Sequence, residues 1–204
     1  LIVAPLEFHR ANVLAKLEEL KIPVLLLEAT SLEQVFAHIH TLGRIFDRST
    51  AAHAMTADMR QQMAEISRRT EGLSRTRVLY VINSQPLITV GPGSYIHQMI
   101  GLAGGSNIAS GAATAYPRLT METVLKEDPE ILIFPRGSVE TVPRSEQEAW
   151  RRWTTLTAVH ENRLREVSAD ALNRPGPRVM QGLEALARVI HPEAFASEST
   201  AAQP

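Results

Sequence analysis

Two arginines four residues apart, two glycine-rich turns and seven histidines are the groups in this sequence whose types and spacing could do chemistry. The arginines, Arg174 and Arg178, stand in ALNRPGPRVMQGLEALARVIHP at 171–192. Pro175, Gly176 and Pro177 lie between them, an unusually stiff backbone just before an amphipathic stretch. Taken alone, the stretch leaves open what the arginines meet. One ordinary alternative places Pro177 at the first helical position with Arg178 in solvent.

GPGS at 91–94 opens a helix, and a glycine-rich entry to a helix N-terminus can hold an anion. It has neither the lysine nor the spacing of a P-loop, and it is not G-x-G-x-x-G. A plain turn weighs equally. GGSN at 104–107 reads as a helix C-terminal turn within a Gly/Ser loop.

Among the histidines, His38 and His40 form H-x-H. Residues i and i+2 on a helix point about 200° apart, so the two cannot share one metal, and they read as core or surface side chains. His9 follows the first apolar run, where the carboxyl end of a strand faces a binding crevice in α/β proteins. His191 before Pro192 reads as a helix-end residue. A methionine stripe (Met55, Met59, Met63) and the pair Trp150 and Trp153 read as packing. No serine–histidine–aspartate order, paired loop carboxylates or H-E-x-x-H appears, so no motif points to catalysis and no metal site is expected.

The elements that must position these groups follow from the apolar pattern. LIVA at 1–4, an amphipathic segment with Val13, Leu14, Leu17 and Leu20, and VLLLEA after Pro23 make a strand–helix–strand unit with a right-handed crossover. TSLEQ starts a helix, with Thr30 or Ser31 as cap and Glu33 or Gln34 as its partner. Residues 31–75 contain no proline, and the spacing predicts two helices there, the second of about 20–25 residues with a start signal at Asp47 to Ser49. VLYVIN and PLITVG read as strands, 94–102 as a helix, and 120–127 as a helix capped by Thr120. Strands are expected at 131–134 and in LREVSA, with a helix around 145–153 between them and a last helix after 178. Alternation of strand and helix means α/β with mainly parallel sheets. Two parallel-sheet lobes bridged by the long helix fit this order: 1–47, then the bridge at 48–75, then 76–195, with a disordered polar tail at 196–204.

Composition narrows the class. Of 204 residues, 44% are hydrophobic and the formal net charge is −1, enough core for one large or two small units and no basic surface for nucleic acid. There is no cysteine, which excludes thiolate sites and disulfides and is compatible with an oxidising compartment. No apolar run reaches the ~18–20 residues that span a bilayer.

Four segments in order resemble the cluster III solute-binding proteins of ABC importers, the receptors for vitamin B12, ferric siderophores and haem. They are LIVAPLEFHRANVLAKLEELKIPVLLLEATSLEQV; RTRVLYVIN with LITVGPGSYIHQMIGLAGGSNIA; YPRLTMETVLKEDPEILIF; and LTAVHENRLREVSADALNRPGPRVMQGLEALARVIHP. The resemblance implies a non-enzymatic binding protein that captures a metal-chelate macrocycle, a cobalamin-like corrinoid first and a ferric siderophore or haem next. It would pass the chelate to an ABC permease in the inner membrane, with no cofactor of its own. It also implies a periplasmic or membrane-anchored extracytoplasmic location. Family members carry further strands ahead of the point where this sequence starts, so the N-terminal lobe is read as incomplete, with an unpaired sheet edge through which chains self-associate.

The resemblance also assigns ligand contacts. The stiff loop places Arg174 or Arg178 at the second-lobe cleft, where each offers carboxylates, phosphates or amides a planar fork of donors. Tyr116 and Pro117 fall where the family sets an aromatic or apolar contact, and Ser84, Gln85 and Pro86 complete that wall. Glu7, Phe8 and His9 stand on the first-lobe wall, which lacks the tryptophan of some B12 binders. Glu122 matches the acidic residue that docks the second lobe on the permease. The first-lobe counterpart falls near Ala11, with Glu7 the nearest carboxylate. Two alternatives remain: a doubly wound α/β enzyme with an anion site at Gly91 to Ser94, and a truncated interaction module that does not transport.

Overall fold

The computed structural model describes residues 1–5, 11–137 and 142–196. The first unit pairs β1 (Ile2–Pro5) in parallel with β2 (Val24–Leu27), joined by α1 (Ala11–Glu19). Lys21 turns the chain out of the helix in the left-handed region (φ 54°), and Pro23 precedes β2, where a fixed φ suits extended entry. None of the described residues of this sheet is fully buried, and Leu1 and Val3 are half exposed. Of the expected α1 face, Leu14 and Leu17 are partly covered while Val13 and Leu20 are exposed.

Helix α2 (Leu32–Ile45) starts as the sequence predicts. Ser31 Oγ accepts from the Gln34 N–H, and the Gln34 side chain in turn accepts from the Thr30 N–H (2.8 Å). The long helix α3 (Ser49–Thr70) has 22 residues in one run. Its start differs from expectation: Arg48 occupies the cap position without a side-chain bond, and Asp47 takes a positive φ of 53° as the turn residue between the helices. The bend is tight because Gly43 sits against Ala52, where a β-carbon on residue 43 would lie 2.5 Å from the Ala52 Cβ. Arg60 on α3 grips Glu33 on α2 with two hydrogen bonds of 2.6 and 2.7 Å and lies over the Phe36 ring. The Arg60 guanidinium holds the Glu33 carboxyl below its ordinary range.

The second unit is a four-stranded, all-parallel sheet in the order β6–β3–β7–β8, built from β3 (Thr76–Tyr80), β6 (Gly105–Asn107), β7 (Ile131–Arg136) and β8 (Leu164–Ser168). Successive side chains of a strand face opposite sides. Val78, Tyr80, Ile131 and Ile133 accordingly pack with α4 (Tyr95–Leu102), α9 (Val179–Ile190) and the buried faces of α2 and α3. Leu79, Val81, Leu132 and Phe134 pack on the other side, with Val124 of α5 (Met121–Glu127), Trp150, and Ala158 of α7 (Thr157–His160). A sheet covered on both faces explains the continuous apolar strands. Leu32, Val35 and Phe36 of α2 belong to the second unit's core, so 47 is not a packing boundary.

Three local expectations are corrected. GGSN is an edge strand rather than a loop: Gly104 (φ 81°) ends the α4 turn and Gly105 begins β6. A side chain at 105 would meet Ile100 and Val78 within 3.0 Å, which is why a glycine-rich stretch can enter the sheet there. PLITVG contributes only β5 (Leu87–Ile88), antiparallel to β4 (Asn83–Ser84). The tryptophan helix is split into α6 (Arg144–Ala149) and a 3-10 turn (Trp150–Arg152). The short helix α8 (Ala169–Leu172) follows β8. The tail, except for exposed Ala196, lies outside the described residues.

Asp128 ties three elements together. It ends α5 in the left-handed region (φ 42°), and its carboxylate accepts from Thr157 N–H (2.8 Å) and Thr157 Oγ (2.6 Å) at the start of α7. Its carbonyl accepts from Arg77 Nε of β3 (2.7 Å). Partial burial raises its pKa, but the Thr157 bonds and Arg77 outweigh that and hold it below the ordinary value. A depressed folded pKa adds stability that is complete above the unfolded pKa and lost as pH falls through the folded one. Asp128→Asn keeps the left-handed tolerance but not the charge, and is expected to cost about 1 kcal/mol at neutral pH. The loss should begin to shrink below about pH 4, close to the unfolded carboxyl value, and vanish only below the lower folded one. Urea melts of both proteins at pH 7 and pH 3 check this; an equal difference at both would sink it.

Candidate functional site

A cleft of about 880 Å³ opens at the carboxyl ends of β1 and β2, between the first unit and the second. Strand carboxyl ends are the usual ligand crevice of α/β folds, and the volume falls in the upper part of the ~300–1,000 Å³ range of small-molecule sites. One side is formed by Val3, Ala4 and Pro5 of β1, Leu27, Ala29 and His38. The opposite side is formed by Ile82, Ile88, Tyr95, Ile96, Tyr116 and residues 173–178. The surface is largely aliphatic and aromatic, with a few polar groups at its rim.

Two buried tyrosines fix the arginine loop. Tyr80, at the carboxyl end of β3, donates to Asn173 Oδ1 (2.8 Å), and Tyr95, in the first turn of α4, donates to the Leu172 carbonyl (2.7 Å). Buried hydroxyls must find acceptors, and here both acceptors lie at the entry to the Arg-Pro-Gly-Pro-Arg segment. Neither tyrosine was expected to matter from sequence. The signal was available in VLYVIN: a hydroxyl within an otherwise aliphatic buried strand requires a partner.

The two arginines differ. Arg174 Nε lies 3.1 Å from Asp170 Oδ1, a largely exposed i,i+4 pair. Arg178 is exposed at the N-cap position of α9, one residue after Pro177, so the helix begins at Val179 and not at the proline. No ion pair or hydrogen bond of the Arg178 side chain occurs among the described residues. Its guanidinium lies beside the positive end of the α9 dipole, which favours an anion there.

Of the residues singled out from sequence, Tyr116, Arg174 and Arg178 line the same cleft. Ser84, Gln85 and Pro86 do not; Ile88 of β5 and Ile82, just before β4, line the cleft instead. Pro117 is also outside the lining. It packs beneath the GPGS turn, its carbonyl accepting from Thr89 N–H (3.2 Å) and its ring close to Gly91. Glu7, Phe8 and His9 lie outside the described residues. Glu122 is exposed in the first turn of α5.

The GPGS turn is not an open anion site. Gly91 is buried, and a side chain there would lie 2.5 Å from the Thr114 carbonyl. Ser94 is 3% exposed and spends its hydroxyl capping the Ile96 N–H (3.2 Å). The loop is structural because the 114–117 segment closes over it. Among the described residues no cluster of three or more metal-ligating side chains occurs, and no helix is long and apolar enough to cross a membrane.

Sequence reasoning missed His38. It stands on α2 next to the buried face and lines the cleft, half-buried. Desolvation holds its imidazole below the ordinary pKa, so the ring is neutral at neutral pH.

Two α/β units with a ligand-sized apolar cleft at strand ends, connected through one long helix, define a bilobal binding fold. The model of the periplasmic binding protein family matches residues 1–171, and the chain belongs to that family. It is 24% identical over 174 residues to the vitamin B12-binding protein of Vibrio parahaemolyticus serotype O3:K6 (strain RIMD 2210633), a match that covers 85% of this chain and 62% of that protein. The chain thus spans about three-fifths of the length of the curated relatives it matches, 60% in the Vibrio cholerae protein. The fold is similar to that of the periplasmic haem-binding protein RhuT from Roseiflexus sp. RS-1, with TM-score 0.81, 18% identity, and 94% of this chain and 75% of that one covered. It is also similar to a protein of the ABC-type Fe3+-hydroxamate transport system from Saccharomonospora viridis DSM 43017, with TM-score 0.70 and 28% identity. That match covers 88% of this chain and 63% of the other.

Proposed function

We propose that this chain belongs to an extracytoplasmic receptor that captures a metal-chelate macrocycle and delivers it to an ABC permease, without a covalent step. A cobalamin-like corrinoid is the first candidate, and haem or a ferric siderophore the next. The observation that carries this is the cleft: its apolar walls suit a flat, largely apolar ligand, while Arg178 and the α9 N-terminus offer an anchor for an acidic arm. Family membership supports the same reading. The corrinoid preference rests on relatives named as vitamin B12-binding proteins. Glu122, exposed on the second unit, is the proposed contact with a permease arginine.

Calorimetric titration of the full-length protein with cyanocobalamin, haemin and a ferric hydroxamate tests the proposal. Saturable binding of at least one is expected; failure of all three would overturn it. Tyr116 is half exposed on the cleft wall, where its ring can lie against a macrocycle face. Tyr116→Ala is expected to weaken binding by about 1–2 kcal/mol, the scale of a lost aromatic contact with its buried area. Unchanged affinity would remove Tyr116 from the site.

A further inference from the structure

Every other described histidine has a partner in the fold. His40 bonds Thr56 Oγ1 (3.1 Å) and packs on His53 at 4.3 Å between ring centroids. His97 meets Asn107 Nδ2 (2.9 Å), His160 meets Glu161, and His191 is held between Glu193 (2.8 Å) and the Gly104 carbonyl (3.2 Å). His38 alone has no hydrogen bond, ion pair or ring contact among the described residues, and it faces the cleft beside Ala29, Tyr95 and Ile96. Partly covered polar groups are normally satisfied, so an imidazole turned to an apolar cleft without a protein partner is available to a ligand. Burial keeps that ring neutral, leaving a nitrogen lone pair to donate.

We propose that His38 is the protein's ligand to the metal of the bound chelate, so that the cleft selects chelates with an exchangeable axial position. This rests on the cleft being the chelate site, as proposed above. The chemistry is a ligand exchange: water leaves the axial position, the imidazole nitrogen donates its pair, and the metal keeps its oxidation state. Aquocobalamin and haemin qualify. Cyanocobalamin, whose axial cyanide does not exchange readily, and a hexadentate ferric hydroxamate do not gain this bond. Metal-bound histidines usually donate their second N–H to a carboxylate or carbonyl, which raises their basicity. His38 has no such support, so the bond is weak and exchangeable, which suits a receptor that must release its cargo.

The test compares aquocobalamin with cyanocobalamin, which differ at one axial position, and adds haemin, all on the full-length protein. Wild type should bind aquocobalamin at least about tenfold more tightly than cyanocobalamin, with a shift of its visible bands, and should shift the haemin Soret band. In His38→Ala the preference and both shifts should vanish, the two cobalamins then binding with equal affinity. Residual binding of either cobalamin shows that the variant is folded, so that the lost preference and shifts report the missing imidazole. Binding without spectral change, identical spectra in wild type and His38→Ala, or binding of the ferric hydroxamate alone would overturn the role of His38 and leave the chelate cleft standing. Binding of no chelate would overturn both.

Discussion

Replacing Phe134 by Ala is expected to cost about 3–5 kcal/mol of folding stability, the largest single effect foreseen in the described chain. Phe134 is fully buried in β7 and meets Trp150 edge-on, with ring centroids 6.5 Å apart. It fills the sheet face that Leu79, Leu132, Val142 and Leu156 also occupy, opposite the cleft. Removing the ring loses its transfer free energy and leaves a cavity that a parallel sheet cannot close by moving one strand. For a chain of this size the melting temperature should fall by roughly 2–4 °C per kcal/mol, so by about 6–20 °C. Met55→Ala is the control. Met55 belongs to the methionine stripe expected to pack, but it is 43% exposed, so its loss should stay within about 0.5 kcal/mol. Thermal melts of the two variants separate the cases; comparable losses would mean that the second core is misplaced.

The contrast between these two residues shows what was legible in the sequence and what was not. Continuous apolar runs such as VLYVI and ILIF announce burial on both faces, because no charged residue alternates along them to meet water. Element order was equally open, and with it the parallel sheet and the uninterrupted α3. The amphipathic spacing of α3 was less informative. A helix that packs α2 along one part and α9 along another buries Met59 and Ile66 but leaves Met55 outside, and periodicity does not reveal where the neighbour ends. Glycines misled for a related reason. Gly91 and Gly105 are present because backbone or side chains approach too closely for a β-carbon, and a sequence shows the glycine but not the neighbour that requires it.

The candidate site was half legible. The rigid Arg174 to Arg178 loop and Tyr116 announced themselves as unusual local chemistry or as matches to the family, and they meet in space. The tyrosines that anchor the loop act over 77 and 93 residues of sequence, which no local pattern encodes. His38 was set aside because H-x-H on a helix cannot chelate one ion. That geometry is correct, yet it concerns pairs, and a chelate brings its own equatorial donors and needs one.

The second large effect concerns charge at the mouth of the cleft. If Arg178 anchors an acidic arm, Arg178→Ala should weaken haemin binding by about tenfold and Arg178→Glu by about a hundredfold, the latter some 2.7 kcal/mol. Truncation removes a charge-assisted bond made near the rim, where water and salt moderate it. Reversal adds repulsion between the new carboxylate and the propionate, and also sets a negative charge where the α9 N-terminus had favoured the ligand's own. Arg174→Ala should cost less, because its guanidinium is partly committed to Asp170. The ligand series sharpens the test. Haemin carries two carboxylates, whereas a corrinoid presents mostly amides and one phosphodiester, so the Arg178→Glu penalty should be several-fold smaller for aquocobalamin. Raising ionic strength from about 0.01 M to about 1 M shortens the screening length from ~30 Å to ~3 Å, and should narrow the gap between wild type and Arg178→Glu for haemin. A penalty equal for both ligands and indifferent to salt would mean that Arg178 shapes the loop and does not meet the ligand's charge.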